Sequence, residues 1–249
     1  MQKTVFEYDL TLEPGFDLTW QATPAERFAM LGLLRRLQPK LSLEIGTYMG
    51  GSLQALARHS ERVISIDIDA TVAERLKGRF SNVEFRSGDS RTLIPQVVDE
   101  INAGAEELSF VFIDGDHSRD GVQRDIENLL KLVPRTLLVF IMHDSFNPGC
   151  RLGIESAGWD KSPYVQAVEI DFVPGIFHRY AVSTATPRSM WGGFACAMLT
   201  PEKRNGPLKI QKSQLHAHNA VKRVSIHGWQ NKWRRGLLRL ERLMRAGKG

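Results

Sequence analysis

Short apolar runs alternate with amphipathic stretches along most of this chain of 249 residues. Leu41 to Ile45, Val63 to Ile66, Leu108 to Ile113 and Leu137 to Met142 have the length and apolar character of strands buried on both faces, and Val83 to Arg86 is a shorter strand. Ser52 to Arg58, Thr71 to Phe80, Thr92 to Ala103 and Gly121 to Val133 between them read as helices, the last turning Val122, Ile126, Leu129 and Leu130 inward. Such alternation predicts βαβ units and a parallel sheet. Tyr164 to Phe172 and Trp191 to Leu199 also read as strands, but residues 173–190 between them carry Pro174, Gly175 and Pro187 and no helical pattern. An antiparallel pair closing the sheet is expected there. Ahead of the first strand, Thr23-Pro24-Ala25-Glu26 is a helix start, with Thr23 as cap, Pro24 in the first turn and Glu26 reaching back. That helix should run to about Leu37 and place Phe28, Leu31, Leu34 and Leu37 on one face. The fold expected is α/β: a Rossmann-like sheet, mostly parallel, with an antiparallel last strand and helices on both faces.

The first strand-to-helix turn, with Gly46, Gly50 and Gly51, lets a ligand approach backbone amides, and the second strand delivers Asp67 at its tip. A carboxylate there suits a ribose diol, whose two hydroxyls can both donate to it. The Gly-x-Gly-x-x-Gly of dinucleotide sites and the Gly-Lys-Ser/Thr of a P-loop are both absent. Glu44 beside the turn would repel phosphate and attract an ammonium. S-adenosylmethionine has an ammonium, a sulfonium and no phosphate, and the charge pattern fits it. The plainer reading, a tight strand-to-helix connection with no ligand, is weakened by Asp67 at the next strand's tip.

Charge divides the chain. From Lys203 onward 13 Lys/Arg face one acid, Glu241, while residues 1–202 hold 20 basic and 27 acidic residues, within a formal net charge of +5. An acidic core with a basic appendage is expected: a segment at 1–22 that caps the site or lies on the surface, a catalytic domain over 23–201, and a linker with a basic helix over 202–249. From about Gln214 to Ala246, Trp229, Trp233, Leu237, Leu240 and Met244 recur at helical spacing among arginines, which describes a helix for an anionic membrane interface. A solvated helix packing on the body or on a second subunit fits as well, and nucleic acid is the weaker option without a binding motif. Cys150 and Cys196 show no paired spacing, and no apolar run reaches the length of a membrane span, so a reduced, cytoplasmic protein touching membranes only peripherally is expected.

Three ordered segments carry a resemblance: Glu44-Ile-Gly-Thr-Tyr-Met-Gly-Gly-Ser52, Val63-Ile-Ser-Ile-Asp-Ile-Asp69 and Gly88-Asp-Ser-Arg-Thr-Leu-Ile-Pro-Gln96. They resemble the cofactor motifs of class I S-adenosylmethionine-dependent methyltransferases, over roughly residues 25–200, and especially the metal-dependent, catechol O-methyltransferase-like branch. The resemblance implies contacts to the methionine part from Glu44, Gly46, Tyr48 and Ser52, to the ribose from Asp67 and to the adenine from Asp89 and Ser90, with Gly50 and Asp114 also among the cofactor-binding residues.

For the chemistry, Phe112-Ile-Asp114-Gly-Asp116-His117 and His143-Asp144-Ser-Phe-Asn147 follow consecutive strands. Acids at adjacent strand tips can hold a divalent cation that lowers an acceptor hydroxyl's pKa, and hard oxygens suit Mg²⁺. The resemblance makes Asp114, His143 and Asp144 the metal ligands. His143 departs from the oxygen usual there and puts metal identity and dependence in doubt; a shift of one residue would give its role to Asp144 and that of Asp144 to Ser145. His117 stands where the catechol enzymes carry the basic residue that takes the acceptor's proton, and imidazole can do so at neutral pH. The alternative is that His117 only bonds Asp116 or a loop carbonyl. Asp116 has several readings, and Asp125 is structural.

The function expected is metal-assisted O-methyl transfer to a hydroxyl of a small molecule or sugar. The Asp-Gly-Asp-His signature also resembles cephalosporin hydroxylases, which would imply oxidation, although no two-His-one-carboxylate spacing is evident. A third reading is a docking module without turnover, for which Glu44, Asp67, Asp114, His117 and Asp144 at strand ends have no physical need. The acceptor should lie among residues 1–22, 147–162 and 173–190, where Phe16, Trp20, Trp159, Phe177 and His178 permit an aromatic or glycosidic ligand.

Overall fold

The computed structural model describes residues 15–180 and 186–228. In chain order the elements are α1 (Pro24–Leu37), β1 (Leu41–Ile45), α2 (Gly51–His59), β2 (Arg62–Asp67), α3 (Thr71–Arg75), β3 (Val83–Ser87), α4 (Ser90–Ala103), β4 (Leu108–Ile113), α5 (Arg119–Leu129) and β5 (Leu138–His143). Then come α6 (Pro148–Ser156), β6 (Val165–Val173), β7 (Ile176–His178), β8 (Ser189–Trp191), β9 (Phe194–Leu199), β10 (Lys209–Gln211) and α7 (Leu215–Val224). Eight strands form one sheet in the order β10-β6-β9-β5-β4-β1-β2-β3, with β7 and β8 as a separate hairpin. The strands from β3 to β5 pair in parallel, and β9 enters between β5 and β6 antiparallel to both. This is the expected, mostly parallel α/β sheet with one antiparallel strand, β9, although β9 is not the last: β10 follows it and pairs parallel with β6. The order reverses at β1, whose neighbours are β2 and β4, so a crevice opens where helices leave the sheet on opposite sides.

Alternating side chains make an apolar layer on each face. Leu41, Leu43, Ile45 and Val111 pack with Val97, Ile126 and Leu129, while Phe110, Phe112, Val139 and Ile141 on the other face pack with Met30, Leu31, Leu34, Leu53 and Leu56. Burial on both faces is why these strands read as continuous apolar runs.

Five local expectations are corrected. Phe28 is 50% exposed, and the buried face of α1 is Met30, Leu31 and Leu34 together with Glu26. The helix expected to Phe80 stops at Arg75, ahead of Gly78 at φ +74. Trp191 to Leu199 is not one strand: Gly192 and Gly193, at φ +69 and +81, break it into β8 and β9. Residues 147–162 are not simply a loop, because Asn147 caps α6 by accepting from the Gly149 and Cys150 amides. The helix expected from Gln214 ends at Val224, and its continuation to Ala246 lies outside the described residues, as do residues 1–14. Residues 209–218 add to the body: β10 pairs with β6, Gln214 N donates to Asp171, and His218 is buried against Phe146.

Cys150 and Cys196 are both free. Among the described residues no helix is long and apolar enough to cross a membrane.

Candidate active site

A cavity of about 1340 Å³ opens at the C-terminal ends of β1, β2, β4 and β5. Its wall includes Gly46, Tyr48, Ser52, Asp67, Asp89, Ser90, Asp114, His117, His143 and Asp144, so most residues singled out in the sequence share one space. Glu44 and Gly50 do not line it.

One end is organised by Asp67. Its Oδ2 accepts the Thr47 and Tyr48 amides at 2.8 and 2.9 Å, and its Oδ1 accepts the Asp69 amide at 2.8 Å. Those bonds fold the β1–α2 turn over the tip of β2, with Tyr48 at φ +49, and Oδ1 keeps a lone pair for a ligand hydroxyl. Exposed Ile68 beside it offers a flat apolar surface on the cavity wall. Asp89 caps α4, and its pairing with Arg91 holds its carboxyl down at about 2. Ser90 donates to buried Asp125 at 3.0 Å, and burial lifts the Asp125 carboxyl to about 6.

The glycines also serve the protein's own packing. A Cβ on Gly46 would sit 2.2 Å from the Asp114 carbonyl oxygen, and one on Gly51 would sit 2.3 Å from Trp20 Cα. Close crossing of the protein's own backbone requires them. Glu44, expected to touch the methionine part, lies fully buried under the turn and accepts the Ser52 and Ser65 hydroxyls at 2.6 and 3.0 Å. Burial raises its carboxyl to about 7. It holds the turn from beneath.

The other end is dense in charge. His117 Nε2 lies 2.9 Å from Asp144 Oδ2 and 3.4 Å from Asp114 Oδ1, and these carboxylates raise its pKa to about 10. His143 Nδ1 is 3.0 Å from Asp114 Oδ1. Burial opposes charge on that ring, yet Asp114 and Asp144 hold its pKa well above the ordinary value. Asp114 in turn stays below its usual range, because the two imidazoles outweigh its burial. Asp144, at φ +58, accepts the Gly192 amide at 2.5 Å. Ser145 is buried outside the cavity wall, which leaves Asp144 as the residue facing in. Asp116 accepts the Ser118 amide at 2.7 Å and faces Arg124 at 3.6 Å, a loop-stabilising arrangement on the cavity's rim.

At this end Trp191 lies edge-on to His117 with ring centroids 5.9 Å apart, and Trp20, Ile176 and His178 complete the wall. Trp159, expected near an acceptor, is instead core, its Nε1 donating to the Ile154 carbonyl. Phe16 packs against the core, and neither it nor Phe177 lines the cavity. Sequence reasoning missed Trp191 and, above all, Glu26. That acid is 1% exposed, lines the cavity, accepts the Gly193 amide and lies 3.4 Å from His143 Nε2. Its only sequence signal was the capping box, which is present and uses its other oxygen on the Thr23 amide.

Asp114, His143 and Asp144 each offer a ligand atom within 4.8 Å of the others. The set fits a divalent cation: two carboxylates and an imidazole converge on a cavity wall, and among the described residues buried His143 Nε2 has no hydrogen-bond partner.

Residues 43–145 match the family model described as a methyltransferase domain. Among solved structures the chain is similar to the O-methyltransferase TomG from Streptomyces achromogenes, involved in tomaymycin synthesis and solved with SAM. That match has 22% identity and a TM-score of 0.52, covering 72% of this chain and 81% of that one. It is also similar to an O-methyltransferase from Bacillus cereus in complex with SAH, at 21% identity and TM-score 0.53, over 75% of this chain and 84% of that one. No curated protein matches the chain. At these identities the structural likeness establishes the fold.

Proposed function

We propose, from the match of residues 43–145 to a methyltransferase domain and the fold shared with O-methyltransferases, that this chain transfers the methyl group of S-adenosylmethionine to a hydroxyl oxygen of a small molecule or sugar. The observation that carries this reading is one cavity with the Asp67 carboxylate at one end and the Asp114, His117, His143 and Asp144 cluster at the other. S-adenosylmethionine supplies an electrophilic methyl group. Asp67 receives a ribose hydroxyl at Oδ1, Ile68 lies against the adenine, and Asp89 and Ser90 meet its edge. This leaves the methyl group directed toward His117 and Asp144.

Asp114, His143 and Asp144 would hold a divalent cation such as Mg²⁺, whose chemistry is to lower the acceptor's pKa and fix its oxygen. His117 handles the acceptor's proton at Nε2. The structure adds a condition to the expected base role: with its pKa at about 10, His117 keeps its proton at neutral pH while both carboxylates face it. It accepts a proton only when another positive charge occupies those carboxylates; otherwise it orients the acceptor as a donor. Trp20, Trp191 and His178 favour a planar or glycosidic acceptor.

Calorimetry with S-adenosylmethionine, with and without Mg²⁺, tests the reading alongside methyl transfer to a catechol. Binding without Mg²⁺ and turnover abolished by excess EDTA are expected. Absence of S-adenosylmethionine binding would remove the methyltransferase reading, and full turnover in EDTA would remove the cation.

A further inference from the structure

From Phe172 to Gly228 the chain holds eight Lys/Arg and one acid, Glu202, which follows the end of β9 that points away from the cavity. The fold gathers part of this charge at the acceptor end. The β7–β8 hairpin places Ile176, His178 and Trp191 in the cavity wall. The end of α7 is fastened to that hairpin: Arg188 Nε donates to the Val224 carbonyl at 2.8 Å, and the Ile226 amide donates to the Arg188 carbonyl at 2.9 Å. The Arg188 amide in turn donates to the His178 carbonyl. Next to His178, the Arg179 guanidinium lies over the Tyr180 ring, 5.6 Å from its centroid. Arg179, Arg188 and Arg223 are exposed, and among them Tyr180, Val224 and Ile176 stand 72%, 51% and 41% exposed. The chain leaves this face at Gly228, and the residues that follow include Trp229, Trp233, seven Lys/Arg and one acid, Glu241.

Such a face combines two attractions. Its guanidinium groups draw it to negative charge, whereas the tyrosine and aliphatic tips gain only where apolar matter lies beside that charge. A nucleic-acid backbone offers the first without the second. The interface of an anionic bilayer offers both, and tyrosine favours that depth. We propose that the β7–β8 hairpin and the end of α7 dock on an anionic lipid bilayer, with the acceptor end of the cavity turned toward the lipid surface. The basic sequence beyond Gly228 adds to the attraction from the same side. Docking needs neither S-adenosylmethionine nor a cation, so the proposal stands apart from methyl transfer.

The probe is vesicles of phosphatidylcholine and phosphatidylglycerol at about three to one, with pure phosphatidylcholine vesicles beside them, mixed with the full chain and read by co-sedimentation. Binding to the anionic vesicles should be at least about tenfold tighter and should weaken with salt. Amide hydrogen exchange of the bound chain should slow over residues 174–180 and 219–228 and stay unchanged over 41–69. Each basic residue near the surface contributes about fivefold, so Arg179→Glu with Arg223→Glu should weaken vesicle binding at least about tenfold. Its S-adenosylmethionine affinity should stay within threefold of wild type. Tyr180→Ser should weaken vesicle binding about threefold and keeps the test open if the double variant does not fold. Equal binding to both kinds of vesicle, wild-type vesicle binding in the double variant, or binding without slowed exchange over 174–180 would each overturn the proposal. Tighter binding of a DNA duplex of about 20 base pairs than of the anionic vesicles would overturn it as well. Docking by a chain that fails to bind S-adenosylmethionine would support it and remove the methyltransferase reading instead.

Discussion

At the donor end of the cavity Asp67 already holds three backbone amides and Ser90 is tied to Asp125, whereas at the acceptor end carboxylates and imidazoles face one another across the wall. The donor end is held by hydrogen bonds from backbone amides, which do not titrate. It suits a ligand recognised by hydrogen bonds. The acceptor end has charged groups whose protons can be redistributed and, among the described residues, the buried His143 Nε2 without a hydrogen-bond partner. It suits a step in which charge develops. The two meet at Gly46, where the β1 turn touches the Asp114 backbone.

The largest effect should come from removing Asp144, which faces His117 and is held by Gly192. Asp144→Ala should lower kcat about a thousandfold while the Kd of S-adenosylmethionine stays within threefold, measured by steady-state kinetics and calorimetry. His117→Ala should cost about a hundredfold in kcat with the donor's KM nearly unchanged. A KM effect as large as the kcat effect would erase the division between the ends. Asp67→Ala should do the reverse, weakening S-adenosylmethionine about 10–100-fold through lost charge-assisted bonds, with kcat at saturation near wild type.

The smallest effect on turnover belongs to Glu44→Gln, expected within threefold, yet it sharpens the account of the turn. The folded-state pKa of Glu44, about 7, lies above the ordinary glutamate value of 4.5, so the folded chain binds that proton more tightly. Its contribution is fully present below pH 4.5, falls as pH rises to 7 by on the order of 3 kcal/mol, and is flat above. Thermal melts across that window should show the slope in wild type and lose it in Glu44→Gln.

The parallel half of the sheet was legible because strands buried on both faces and amphipathic helices write distinct periods. Asp67, Asp114 and Asp144 were legible because strand tips can be counted. Glu26 was not, since a capping-box glutamate reads as local chemistry until the fold brings His143 and Gly193 against it. Gly192 and Gly193 sit in a run of strand-like residues, and only their positive φ reveals that they aim amides at Asp144 and Glu26. α6 was hidden because Pro148, Gly149 and Gly153 look like loop residues; Gly153 is there because a Cβ would meet the Arg119 carbonyl at 2.5 Å. Trp159 looked like a ligand-facing aromatic because burial of a tryptophan depends on tertiary packing that periodicity does not record.

Calorimetric titration of S-adenosylmethionine into Asp67→Ala and Asp144→Ala, side by side under one buffer, bears most directly on a cavity with separate donor and acceptor ends. The account predicts binding weakened at least tenfold in Asp67→Ala and unchanged within threefold in Asp144→Ala. Equal weakening in both, or tight binding retained in Asp67→Ala, would contradict it.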